Sequence, residues 1–118
     1  AAAMPCPMAD DMTIHSTLAR LEAVIAARRG GDPATSYVAK LNARGVPVIA
    51  RKLGEEAIET VVAALSGSRE ELVGEAADVL FHLLVLLAAK DVALAEVLAE
   101  LDRREGISGI AEKASRSE

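Results

Sequence analysis

The chain has 118 residues, the usual size of a single domain, and 52% of them are hydrophobic, ample for a core. Only 2% are aromatic, so Ala, Leu, Val and Ile must supply the packing, which favours close-packed helices over a sheet. A formal charge of -5 argues against a nucleic-acid surface, and the single cysteine, Cys6, supports neither a disulfide framework nor a zinc site.

Residues 1–12 carry two prolines, three methionines and no periodicity, and read as a disordered tail without a basic n-region or a continuous apolar h-region. A single all-α domain over 13–118 is expected to follow. Ile14, Leu18, Leu21 and Ile25 form the stripe of a first amphipathic helix, closed by Arg28, Arg29, Gly30 and Gly31. Asp32 then reads as an N-cap with Pro33 at the first helical position of a short second helix, which ends near Gly45. Ser36 and Tyr37 lie at its start, where they could touch a ligand or simply begin the helix.

Pro47 opens a longer third helix ending at Ser66-Gly67, and Ser68-Arg69-Glu70-Glu71 fits a capping box at the start of a fourth. Gly54, in the third, costs about 1 kcal/mol relative to alanine, so a close approach or a helix contact is expected there. The fourth helix becomes apolar almost all round from Val79 to Ala89, too short a run to span a bilayer. A helix without a polar face is buried on every side, so in so small a domain it is expected to enter a subunit interface as well. Asp91 reads as the cap of a fifth helix, with Leu94, Val97, Leu98 and Leu101 facing inward.

Residues 51–82 carry the chemistry. Glu55, Glu56 and Glu59 form one acidic packet and Glu75 and Asp78 a second, with the turn sequence SGSR between them. Residues three and four apart share a helix face, so folding the chain at that turn gathers four or five like charges. Such a cluster is unfavourable unless divalent cations occupy it, and oxygen donors on an open face suit Mg2+. The alternative is a solvated acidic face, but Glu59, Glu75 and Asp78 lack a basic partner four residues away, whereas Arg51 and Lys52 can pair with Glu55 and Glu56. His82 follows Asp78 by four residues and is either a ligand contact or a core histidine.

The pattern Glu-Glu-x-x-Glu, fifteen residues, then Glu-x-x-Asp resembles the signature of the MazG-like all-α nucleoside triphosphate pyrophosphatases. The stretches SYVAKLNARG, KLGEEAIETVVAAL, ELVGEAADVLFHLLVLLA and REGISGIAEKASR are similar to the phosphoribosyl-ATP pyrophosphohydrolase family within it. The resemblance covers about residues 16–116. It implies a helical bundle of about five helices completed by homodimerisation and acting on phosphoribosyl-ATP. The single cysteine, the net charge and the short apolar run lead to the expectation of a cytoplasmic protein without nucleic acid or membrane as partner. The resemblance implies that Glu56, Glu59, Glu75 and Asp78 coordinate Mg2+, with Glu55 as a further acid that holds another ion or orients water. Lys52, Lys113 and Arg116 match basic positions and would contact phosphate or ribose-phosphate, with His82, Ser36 and Tyr37 as further substrate candidates. The implied reaction is hydrolysis between the α- and β-phosphates, a step of histidine biosynthesis. Its rivals are a house-cleaning dNTP pyrophosphatase with the same acidic signature and a non-enzymatic helical dimerisation module.

Overall fold

The computed structural model describes residues 7–107 with positions 109, 113, 114 and 116, and side chains from Thr17 onward. Five helices follow one another: α1 Pro7–Arg28, α2 Tyr37–Arg44, α3 Val46–Ser66, α4 Arg69–Ala89 and α5 Leu94–Arg104. No strand occurs among the described residues, so the all-α expectation holds. α1 begins upstream of Ile14, and residues 7–12, expected in a tail, belong to it. Pro7 stands at its first position, where a missing N–H leaves no intrahelical bond unmade. Residues 1–6 and the side chain of Ile14 lie outside the described set.

The core is assembled from one or two side chains per helix. Ile25, Val38, Leu41, Ile49, Leu84, Val85 and Leu94 form one buried cluster, with Leu18, Leu21, Phe81, Leu86, Leu87 and Leu98 packed against it. α4 is the central element, lying mainly against α3 and α1, while α2 bridges α3 and α1. This explains why α4 is apolar almost all round: neighbours cover several of its faces. By length and composition it could cross a membrane; here Leu84 and Val85 lie in the core, Leu80 is exposed, and the first half carries Glu75 and Asp78. The surplus apolar face belongs chiefly to α3. Ile58, Val61, Val62 and Leu65, spaced i, i+3, i+4 and i+7, are 64, 54, 54 and 83% exposed.

The α3–α4 hairpin is closed by two residues. Ser68 Oγ accepts the Glu71 backbone N–H at 3.1 Å, and the Glu71 carboxylate accepts the Ser68 N–H at 3.1 Å, the expected capping box. Gly67 donates its N–H to the Ala63 carbonyl at 2.9 Å. A Cβ there would lie 3.0 Å from that oxygen and 3.1 Å from the Ala63 Cα, so the close approach of backbone to backbone requires glycine. A Cβ at Gly54, in contrast, would meet no other element within 4 Å among the described residues.

Two expected caps are placed differently. Asp32 accepts the Ala34 N–H at 2.9 Å in an Asx turn, and Ser36 is the true cap of α2, accepting the Ala39 N–H at 3.2 Å. Asp-Pro favours a turn, which leaves the nearby serine to start the helix. Asp91 does not cap α5. It adopts φ 56°, which aspartate tolerates, and pairs with Arg29 at 3.1 Å. The N-terminus of α5 is held by two glutamates instead: Glu96 accepts the Ala93 N–H at 2.9 Å, and Glu22 on α1 accepts the Leu94 N–H at 2.7 Å. Leu101, expected inward, is 55% exposed.

The Glu22 bond spans 72 residues of sequence and is the polar tie between α1 and α5. Partly buried hydrogen bonds to charged groups contribute about 1.5–3 kcal/mol. Glu22→Ala should therefore lower stability by about 1–2 kcal/mol in urea unfolding, with Glu22→Gln in between. An unchanged midpoint for Glu22→Ala would show that the contact contributes nothing.

Candidate active site

The hairpin brings both acidic packets onto facing surfaces. One carboxylate oxygen from each of Glu56, Glu75 and Asp78 lies within 4.8 Å of the others. Glu59, one turn from Glu56 on α3, stands close enough to Glu75 for its charge to act on that carboxyl. Glu55 is not brought in. It faces Arg51 at 3.6 Å and Lys52 at 3.4 Å, so the two bases expected to serve Glu55 and Glu56 both converge on Glu55. Exposed pairs of this kind are weak, but they turn Glu55 away from the other acids. A cleft of about 460 Å³ runs from Glu59 and Glu75 along Val62, Ala63, Ser66 and Gly74 to the hairpin turn.

Crowding shows in the protonation of the cluster. Burial, followed by the charges of Glu59 and Asp78, pushes the Glu56 carboxyl above its ordinary 4.5. The Glu75 carboxyl is also raised, by burial and then by Glu59, Glu56 and Asp78, so every charge acting on it is acidic. Oxygen donors that repel one another, partly exposed and within reach of one centre, are what a hard divalent cation requires. The residues present therefore fit Mg2+.

A second group adjoins the acids. His82, buried in the core, donates from Nδ1 to the Asp78 carbonyl oxygen at 2.8 Å, which leaves Nε2 as an acceptor. The Tyr37 hydroxyl donates to that nitrogen at 3.2 Å. Phe81 completes the group: its ring lies 6.0 Å from that of Tyr37, centroid to centroid and 19° from parallel, and 5.1 Å from that of His82. Lys52 closes the border, its ammonium pKa raised first by Tyr37 and then by the hydrogen bond to Glu55.

Of the residues named from sequence, the structure thus gathers Glu56, Glu59, Glu75 and Asp78, and sets Lys52, Tyr37 and His82 beside them. Ser36 serves as the α2 cap. Lys113 and Arg116 lie exposed beyond α5, and most of the REGISGIAEKASR stretch is outside the described residues. Phe81 was not anticipated. The signal was there, since it is the one phenylalanine of the chain and sits beside the one tyrosine.

The family profile described as phosphoribosyl-ATP pyrophosphohydrolase matches residues 18–105. The chain belongs to this family. It is 75% identical over 100 residues to a phosphoribosyl-ATP pyrophosphatase of Novosphingobium aromaticivorans, covering 85% of this chain and 94% of that protein. Proteins with the same description from Erythrobacter litoralis and Dinoroseobacter shibae are 68% and 67% identical, over 87% and 86% of this chain and 99% of each relative.

The raised carboxyls set a pH dependence. In the folded state Glu56 and Glu75 hold protons that the unfolded chain releases near 4.5, so their contribution is complete below that pH and is lost as pH rises through their folded values. Glu100, lowered to about 2 by Arg103 and Arg104, is ionised when folded but half protonated near 4.5 when unfolded, so it adds an opposing rise in stability that fades about one pH unit above that value. Without divalent ions the melting temperature should therefore fall as pH rises above about 5.5, and Glu56→Gln should flatten the fall. Calorimetry at several pH values in chelator checks this. A profile identical in the variant would remove Glu56 from the coupled cluster.

Proposed function

We propose that the protein hydrolyses phosphoribosyl-ATP to phosphoribosyl-AMP and pyrophosphate, the second step of L-histidine biosynthesis, in the cytoplasm and with Mg2+. The observation that carries this reading is the convergence of Glu56, Glu75 and Asp78 in a chain of this family. Glu56, Glu75 and Asp78 would hold the cation, with Glu59 at the edge. Bound there, it would neutralise the polyphosphate and polarise the phosphorus under attack.

The remaining work falls to the chain. Lys52, kept protonated by its neighbours, meets the negative charge of the polyphosphate. A Glu59 carboxylate oxygen, at the rim of the cleft, accepts the proton of the attacking water. Glu55 has a supporting role: its pairs with Arg51 and Lys52 fix where those bases stand. Pyrophosphate is the leaving group that spreads the departing charge over two bridged phosphates. Lys113 and Arg116 are assigned to phosphate or ribose-phosphate on the resemblance alone. A dNTP pyrophosphatase would share the acids, and the family profile favours the phosphoribosyl-ATP branch over it.

The protein is further proposed to act as a homodimer. The outward stripe of Ile58, Val61, Val62 and Leu65, with Val73 and Leu80 exposed on α4, is a larger apolar surface than a monomer ordinarily leaves in water. A second copy would cover it and lie beside the cleft, whose wall includes Val62.

Phosphorus NMR of the reaction should show pyrophosphate and phosphoribosyl-AMP in equal amounts, without orthophosphate as a first product. Orthophosphate appearing first would overturn the reaction class. Glu56→Gln should cut kcat at least about 100-fold while the fold is kept; retention of most activity would require another set of ligands. Light scattering should give the mass of a dimer, and Leu65→Asp should weaken it. A folded monomer for the native chain would remove the dimer.

A further inference from the structure

The chain's one tyrosine and one phenylalanine stand together, beside a buried histidine, at the border of the acidic cluster. Core packing does not account for the arrangement, because Tyr37 is 47% exposed in a protein otherwise packed with aliphatic side chains. Two contacts hold the ring in place, and a third fixes the histidine behind it. The Tyr37 hydroxyl is fixed on His82 Nε2, the His82 tautomer is set by the Asp78 carbonyl, and Phe81 backs the ring in a near-parallel stack. A half-exposed aromatic ring with so little freedom is preorganised for a flat partner.

The placement says which partner. The His82 bond to the Asp78 backbone carbonyl sets the ring beside the acid-bearing turn of α4, and Lys52, paired with Glu55 at 3.4 Å, is near enough to Tyr37 for the two to interact electrostatically. A ligand whose phosphates reach Lys52 and the acids therefore has its organic end within reach of Tyr37. Resting on the hydrolysis proposed above, we propose that the free face of Tyr37 is the platform on which the purine of the substrate stacks, with Phe81 and His82 as positioning residues that hold it there. This separates the site into two halves. The carboxylates and Lys52 recognise the polyphosphate whatever it is attached to, and Tyr37 recognises the base.

The two halves can be read independently with two probes, each supplied with Mg2+: α,β-methylene-ATP, which has a purine and is not cut between its α- and β-phosphates, and inorganic tripolyphosphate, which has no base. Base–aromatic stacking measured by alanine substitution corresponds to roughly a fivefold to 150-fold change in affinity. In titration calorimetry Tyr37→Ala should weaken α,β-methylene-ATP by about tenfold and leave tripolyphosphate unchanged. Tyr37→Phe, which keeps the ring and its backing by Phe81, should restore most of the nucleotide affinity. In turnover, Tyr37→Ala should raise KM for phosphoribosyl-ATP by a similar factor and change kcat much less. Equal weakening of both probes would mean that the ring only supports the fold of the site, and the platform would be overturned, as it would by unchanged nucleotide binding. A native protein that binds tripolyphosphate but not the nucleotide also overturns it, while leaving the phosphate half standing. Binding of neither probe would instead sink the hydrolysis reading beneath it.

Discussion

Mutual repulsion among Glu56, Glu59, Glu75 and Asp78 is the constraint around which this small protein is arranged. Left to themselves these side chains would separate, and the α3–α4 hairpin keeps them together through contacts that have nothing to do with charge. The capping box at Ser68 fixes where α4 begins, and the apolar half of α4 anchors it in the core. The cluster is therefore built at the expense of stability, and elevated carboxyl pKa values are the visible trace of that cost. A cation would convert the same repulsion into binding energy, because preorganised donors need not be gathered when the ion arrives.

Much of this was legible in the sequence because the relevant signals are local. The i, i+3 spacing of Glu56–Glu59 and Glu75–Asp78, the glycine-serine turn and the capping box each lie within a few residues, and each is found where expected. Cap assignments failed where two candidates competed. Asp32 and Asp91 have the right chemistry for a cap, but Asp32 is used in a turn and Asp91 in a left-handed residue paired with Arg29. The bond from Glu22 to Leu94 was invisible for a different reason, since nothing in local spacing links α1 to α5.

Within the site, Glu55 lies toward the edge, paired with the bases that precede it. Helical spacing places it as close to Glu59 as Glu56 is, and only the packing of Arg51 and Lys52 decides that it turns outward. The aromatic group shows the reverse case. Tyr37 and His82 could each be named from sequence, but their relation to one another, through Phe81 and a hydroxyl–imidazole bond, depends on how α2 docks beside the helix pair. Likewise the all-apolar segment of α4 pointed to a surplus of apolar surface, and the structure leaves it uncovered on both helices, at Val73 and Leu80 on α4 and more broadly on α3.

The tight closure at Gly67 has a consequence for how such a chain can change over time. A single inserted or deleted residue between Ser66 and Arg69 would break the Gly67–Ala63 closure and the capping box together, because each depends on the count of residues between the helices. Glu75 and Asp78 could then face Glu56 again, and Leu84 and Val85 return to the core, only if the turn were rebuilt. Length and composition are thus constrained at the same place: the backbone approach requires Gly67, the cap requires Ser68, and both fix how many residues join the two helices.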